Sequence, residues 1–275
     1  MKSADHISVI KKLILTVHAS EKMHALIVEG PAGWGKTTAV DHALKEARLK
    51  GCHLGAYSTP LNLYNFLFQH KTSIVIIDDC AGLFNDQSSM AILKSATWPQ
   101  GGRRVVKWGS TSSRAYVEEF VFDGKLIIVC NSFPNTSDAE AVKSRSFPRR
   151  IEISVDEARR LLLAAAKDKS WFSDSKKAMA VASFLISRIS QSSLSQISYR
   201  TLQMGYELAE YNPDSWKELL SGLVALPTAD PKVLVRKLAK DGLKVKDQAR
   251  HFQEATGLKR RTFFKYRQEL GVEKR

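Results

Sequence analysis

Apolar positions follow two regimes along this chain. Up to about residue 154, short aliphatic runs alternate with amphipathic stretches; beyond it only helical spacing remains. Residues 5–19 place Ile7, Ile10, Ile14 and Val17 three or four apart, which predicts a helix. Residues 24–29 hold the run Ala25-Leu26-Ile27-Val28 and predict a strand. Residues 37–49 predict a helix ended by Gly51, and residues 52–57 a short strand. Residues 60–70 predict a helix with Leu61, Tyr64, Leu67 and Phe68 on its apolar side. Residues 73–79, SIVIIDD, have four consecutive aliphatics and then acids: a strand buried on both faces, ending in carboxylates. Residues 85–98 predict a helix. Residues 103–108 and 116–122 flank a Gly/Ser/Thr-rich turn and predict a β-hairpin. Residues 125–130 predict another buried strand, closing on Asn131, and residues 151–153 a short one. From residue 156 to about 223, helical spacing repeats four times with serine-marked joints.

Strands alternating with helices and then helices alone describe an α/β chain. A parallel-sheet core over 1–154 is followed by an all-α region over 155–225. A small helical module over 226–275 begins with the linker signal Leu226-Pro227…Pro231. The 275 residues suffice for one or two buried cores. No apolar run approaches the roughly 20 residues of a spanning helix, and no signal-peptide pattern opens the chain, so a cytoplasmic location and no membrane partner are expected. Cys52, Cys80 and Cys130 lie far apart and read as reduced core thiols without metal-ligand spacing. The formal charge of +14 attracts polyanions, above all nucleic acid.

The chemistry centres on residues 30–38, GPAGWGKTT, directly after the first strand. Gly30, Gly35, Lys36 and Thr37 fill every fixed position of G-x-x-x-x-G-K-[ST]. The loop Gly30, Pro31, Ala32, Gly33, Trp34, Gly35 would wrap its backbone around phosphates, with Lys36, Thr37 and Thr38 opening the next helix. Lys36 reaches the outer phosphates of a nucleoside triphosphate, and the Thr37 hydroxyl is a magnesium ligand. Ligand groups gather at the carboxyl ends of parallel strands. That puts Asp78 beside Gly30 as a second metal ligand, Asp79 in position to deprotonate an attacking water, and Asn131 in position to hold it.

The last 50 residues hold 14 Lys/Arg against 6 Asp/Glu. Ala249 and Phe252 line one short helix, residues 256–258 turn, and Phe263, Tyr266 and Leu270 line a second. This is a helix-turn-helix layout. Lys259, Arg260, Arg261 and Thr262 would face DNA bases from the second helix's start, with Lys265 and Arg267 on phosphates.

Together these motifs resemble an AAA+ ATPase over residues 1 to about 225. GPAGWGKT is similar to Walker A, IVIIDD to Walker B, and Asn131 after IIVC to sensor 1. The resemblance implies ATP and Mg2+ as cofactors. It implies an arginine finger acting on a neighbouring subunit (Arg145 of Ser144-Arg145, or Arg149 or Arg150) and a sensor 2 arginine, Arg200, in a helical lid. A finger in trans implies a ring or helical homo-oligomer. Two features depart from the common pattern. Asp79 stands where most AAA+ proteins have Glu, which leaves room for slow turnover. The double-Asp Walker B and the hairpin before sensor 1 also resemble superfamily 3 helicases, whose hairpin touches DNA; Lys107, Trp108 and Arg114 would be the contacts. The expected function is ATP hydrolysis on or anchored to DNA, in replication initiation, helicase loading, unwinding or transposition of a phage or mobile-element type, with a helicase or another replication or transposition protein as partner. The alternatives are an ATP-switched DNA-binding regulator and a protein-remodelling ATPase.

Overall fold

The structure is a computed structural model. It describes residues 4–272 except 56, 110–113, 191–192, 225–230, 241–243 and 257. The chain divides into two units, Met1–Glu152 and Ile153–Arg275.

The first unit is a five-stranded parallel sheet flanked by helices. Its strands are β1 (Ala25–Glu29), β2 (Gly51–Leu54), β3 (Ile74–Asp78), β6 (Lys125–Cys130) and β7 (Phe147–Arg150), ordered β2-β3-β6-β1-β7. The aliphatic runs of β1, β3 and β6 are buried on both faces, as their lack of alternation requires. The helices are α1 (Ala4–Ala19), α2 (Lys36–Glu46), α3 (Pro60–Gln69), the short α4 (Ala81–Phe84), α5 (Gln87–Thr97) and α6 (Ser137–Lys143). Ile10, Ile14 and Val17 of α1 are buried, as their spacing implied. Between α5 and β6, the strands β4 (Val105–Lys107) and β5 (Glu119–Val121) pair antiparallel, which is the expected hairpin.

Several boundaries differ from expectation. The helix after the glycine loop stops at Glu46, not Leu49: Arg48 takes a left-handed φ of 56°, and Gly51 opens β2 instead of ending the helix. The helix expected over 85–98 begins only at Gln87, where the Asp86 side chain accepts from the Ser89 amide. α6 was not foreseen. Its cap is legible in hindsight, since the Thr136 hydroxyl accepts from the Ala139 amide and Asp138 and Glu140 sit in the first turn. The last strand lies at 147–150, before the expected 151–153. It is an edge strand, and Pro148 within it made the run look unlike a strand.

In the second unit, α7 (Val155–Lys167), α8 (Ser175–Arg188), α9 (Tyr199–Tyr211) and α10 (Trp216–Leu223) follow the four predicted helices. Then α11 (Pro231–Lys240), α12 (Val245–Thr256) and α13 (Arg260–Glu269) surround a small core of Val235, Leu238, Ala249, Phe252 and Phe263. The turn expected at 256–258 includes Gly257, which lies outside the described residues. No helix among the described residues is long and apolar enough to cross a membrane.

Candidate nucleotide site

Three neighbouring strand ends build the site. The chain leaves β1 into the glycine loop, β6 ends beside Asn131, and β3 ends at Asp78. β6 lies between β1 and β3, so Gly30 and Asp78 are not on adjacent strands as expected; Asn131 stands between them. The loop turns on Gly33 and Gly35, with φ of 75° and 74°. Left-handed backbone costs a residue with a Cβ roughly 1–2 kcal/mol, so glycine is the residue that fits. Gly30 lies against the chain after β7: a Cβ there would sit 2.8 Å from the Ile151 carbonyl oxygen. α2 starts at Lys36, and the amides of its first turn have no intrahelical partner, which favours an anion there.

The side chains converge. Lys36 is only 8% exposed, and its ammonium donates to the carbonyls of Gly30 (2.9 Å) and Pro31 (3.0 Å) and to Asn131 Oδ1 (2.8 Å). The other end of the same amide donates from Asn131 Nδ2 to Asp79 Oδ1 at 3.4 Å. The Thr37 hydroxyl donates to Asp78 Oδ2 at 2.8 Å. Five residues from three segments thus form two hydrogen-bonded groups at one edge of the sheet. Asp79 is held at φ 52°, its amide donating to the Val129 carbonyl at 3.0 Å. This backbone turn separates two consecutive acids: Asp78 faces Thr37, while Asp79 is exposed and faces Asn131.

Thr37 and Asp78 supply a hydroxyl and a carboxylate oxygen, the hard donors that suit magnesium. That ion is held by one or two protein oxygens with phosphate and water completing its shell. No group of three or more His, Cys, Asp or Glu among the described residues forms a metal cage. The glycine turns and the unpaired helix amides fit a polyphosphate. Two thiols border the site. Burial, followed by the charge of Glu29, pushes Cys130 up to about 12; burial, followed by Asp78 and Asp79, raises Cys80. Both stay protonated at neutral pH and act as packing.

The remaining predicted residues are more scattered. Arg145 follows α6 in the same unit; its guanidinium lies 5.9 Å from the Trp98 ring centroid and 3.5 Å from the Lys94 carbonyl oxygen. Arg149 and Arg150 lie on β7, opposite Val28 and Glu29 of β1, and Arg150 pairs with Glu152 at 3.5 Å. Arg200, exposed at the start of α9, belongs to the other unit. On the hairpin, Lys107 is exposed but ion-paired with Glu119 at 2.7 Å, and Arg114 is exposed. Trp108 instead packs inward, 5.5 Å from the Tyr64 ring. Lys259, which precedes α13, and Arg260, Arg261 and Lys265 within it are exposed, and Thr262 is half-buried. Arg267 corrects the expectation of a phosphate contact. It is 6% exposed and donates to Gln248 Oε1 at 2.6 Å, because its position shares the buried face with Phe263.

No protein-family model matches the chain. A stretch of 119 residues, 40% of this chain, is 29% identical to an uncharacterised 36.7 kDa protein from the nrdC-mobD intergenic region of Enterobacteria phage T4, and spans only 36% of that protein. Two mutants of RuvB from Thermotoga maritima superpose with TM-scores of 0.51 and 0.50. Their identities are 12% and 14%, over 98% of this chain and 89% and 91% of theirs. Such identities speak to fold alone. The strand order, the glycine loop between β1 and α2, and this superposition give the chain the AAA+ P-loop ATPase fold.

Proposed function

We propose that the protein hydrolyses ATP and acts on DNA. The observation that carries the reading is the linked set Lys36–Asn131–Asp79 beside Thr37–Asp78, all at the mouth of a left-handed glycine loop. Lys36 brings a positive charge to the outer phosphates. Thr37 and Asp78 offer two oxygens to magnesium, which when bound would neutralise phosphate charge. Asn131 orients a water, and Asp79 accepts its proton as the water oxygen bonds to the γ-phosphorus and the bond to the β–γ bridging oxygen breaks. Arg145 is the proposed finger toward a neighbouring subunit, with Arg200 as the lid arginine in cis.

DNA is supported by the charge of +14 and by α13, which begins with three exposed cations. Positive charge at a helix N-terminus opposes the helix dipole, and phosphate oxygens would offset that cost. The second reading is a slow ATP-driven switch, favoured by the short Asp79 side chain and its engagement with Asn131.

Hydrolysis with and without duplex DNA tests the proposal. Lys36→Ala should lower turnover by about 10²–10³-fold, the scale of losing one preorganised charge donor. Turnover equal to that of the unmodified protein would remove the site assignment. ATP binding without measurable hydrolysis, with or without DNA, would leave the switch.

A further inference from the structure

The opposite end of the sheet, where strands begin, carries a second basic site that the nucleotide chemistry does not use. A cleft of about 380 Å3 lies there, lined by His18 from the end of α1, Arg48 and Lys50 from the α2–β2 turn, Thr72 before β3, and Asp123 and Lys125 at the start of β6. Lys71, next to Thr72, joins this edge: its carbonyl accepts from the Asp123 and Gly124 amides. Behind the cleft the interior is cationic as well. Arg104 is 6% exposed and donates to the carbonyls of Ala96 and Gly124, both at 2.9 Å. Lys125 donates to the Ser20 carbonyl and lies 3.1 Å from His24 Nδ1. Burial holds Lys125 below the usual lysine range, and the neighbouring Arg104 charge adds to it.

Two observations set this cluster apart from ordinary surface charge. Elsewhere in the same unit, Lys11, Lys94, Lys107 and Lys143 each meet a carboxylate at 2.6–3.2 Å. Among the described residues no such pair engages Arg48, Lys50, Lys71 or Lys125, and Asp123 is the one acid lining the cleft. Second, Arg48 sits where a helix ending favours glycine. Its φ is 56°, and the Leu49 amide reaches back to the Leu44 carbonyl at 2.9 Å. Besides Asp79 in the nucleotide site, it is the only described non-glycine residue with positive φ. Strained residues of this kind cluster at functional sites.

We propose that this end of the core is a nucleic-acid contact, in which Arg48, Lys50 and Lys71 take phosphodiester oxygens of a DNA backbone while Lys125 and Arg104 add positive charge behind them. The inference rests on the reading of the protein as DNA-acting and adds a surface distinct from the hairpin and from α13. Arg48 supplies a planar fork suited to a phosphate, and the lysines supply point charges beside it. Arg48 and Lys50 on the α2–β2 turn and Lys71 before β3, none of them paired with a carboxylate among the described residues, suit a repeating anion. An acidic protein segment is the competing occupant.

The test is fluorescence anisotropy of a labelled duplex, and of its single strand, on the full chain across a range of NaCl concentrations. Arg48→Gly combined with Lys50→Gln should weaken binding and flatten the plot of log affinity against log salt by about two. The melting temperature should hold or rise, since glycine accepts the left-handed turn. Unchanged affinity and slope would overturn the proposal, as would a loss of poly-glutamate binding with DNA binding intact. A companion variant, with Lys259, Arg260 and Arg261 each changed to Glu, separates the two readings. If the unmodified chain binds DNA with a salt response that this variant weakens, and the Arg48/Lys50 variant alone is silent, only the contact falls. If the unmodified chain shows no salt-responsive binding, the DNA reading falls with it.

Discussion

The two ends of one parallel sheet carry charge in opposite ways. At the carboxyl ends, Lys36, Thr37, Asp78, Asp79 and Asn131 contact one another, with charges of both signs interleaved through hydrogen bonds of 2.8–3.4 Å. At the amino ends, Arg104 and Lys125 are satisfied by carbonyls, while Arg48 and Lys50 stand over the cleft with no ion pair among the described residues. Each end also holds one left-handed residue with a side chain, Asp79 or Arg48. A mutually hydrogen-bonded cluster is preorganised: it holds its geometry before a ligand arrives, which is what transition-state stabilisation requires. A cluster of one sign stores repulsion that a polyanion relieves, which suits binding.

Three substitutions would sharpen or break that contrast. The largest effect is expected at Asp79. Asp79→Asn keeps the side-chain shape and removes the proton acceptor, so hydrolysis should fall by about 10²–10⁴-fold with nucleotide affinity retained. Turnover assays beside titration with a fluorescent nucleotide read both quantities. Near-normal turnover would mean that the linked cluster binds but does not act as a base. An intermediate effect is expected at Gly30. Gly30→Ala pushes a Cβ against the Ile151 carbonyl at 2.8 Å, which is backbone and cannot rotate away. Stability should drop by about 1–3 kcal/mol in urea unfolding. An unchanged midpoint would show that the chain after β7 yields freely.

The smallest effect belongs to the amino end and depends on pH. His24 is lowered from 6.5 to about 4, first by burial and then by the charges of Arg104 and Lys125. Between those values the unfolded chain holds more protons at this position than the folded chain. Its contribution is therefore present above about pH 6.5 and lost as pH falls toward 4. The urea midpoint of the unmodified protein should decline from pH 7 to pH 5, and His24→Gln should flatten that decline. The same slope in both proteins would place the pH sensitivity elsewhere.

Much of the nucleotide site was legible because its chemistry is local. Gly30 to Thr37 is a contiguous motif, and Asp78, Asp79 and Asn131 each follow an aliphatic run that could only be a buried strand. The four helices of the 155–225 region were legible too, since helical spacing survives without knowledge of partners. The short or irregular pieces were not. α6 is one of these, as its seven residues are too few for a periodic signal; β7 is another, disguised by Pro148 on a sheet edge. Arg267 read as a DNA contact because composition shows charge but not which face of a short helix turns inward. Only its packing beside Phe263 and its bond to Gln248 decide that.

The sequence by itself determined the phosphate loop, the acids and amide at strand ends, and the alternation of strand and helix, because each depends on residues close together in the chain. Tertiary structure alone decided that β6 inserts between β1 and β3, so that Asn131 bridges Lys36 and Asp79. It alone gathered Arg48, Lys50, Lys71, Arg104 and Lys125, spread over 78 positions from 48 to 125, at the far end of the same sheet. Strand order is set by how buried faces pack across long loops, and no local pattern encodes which strand ends become neighbours.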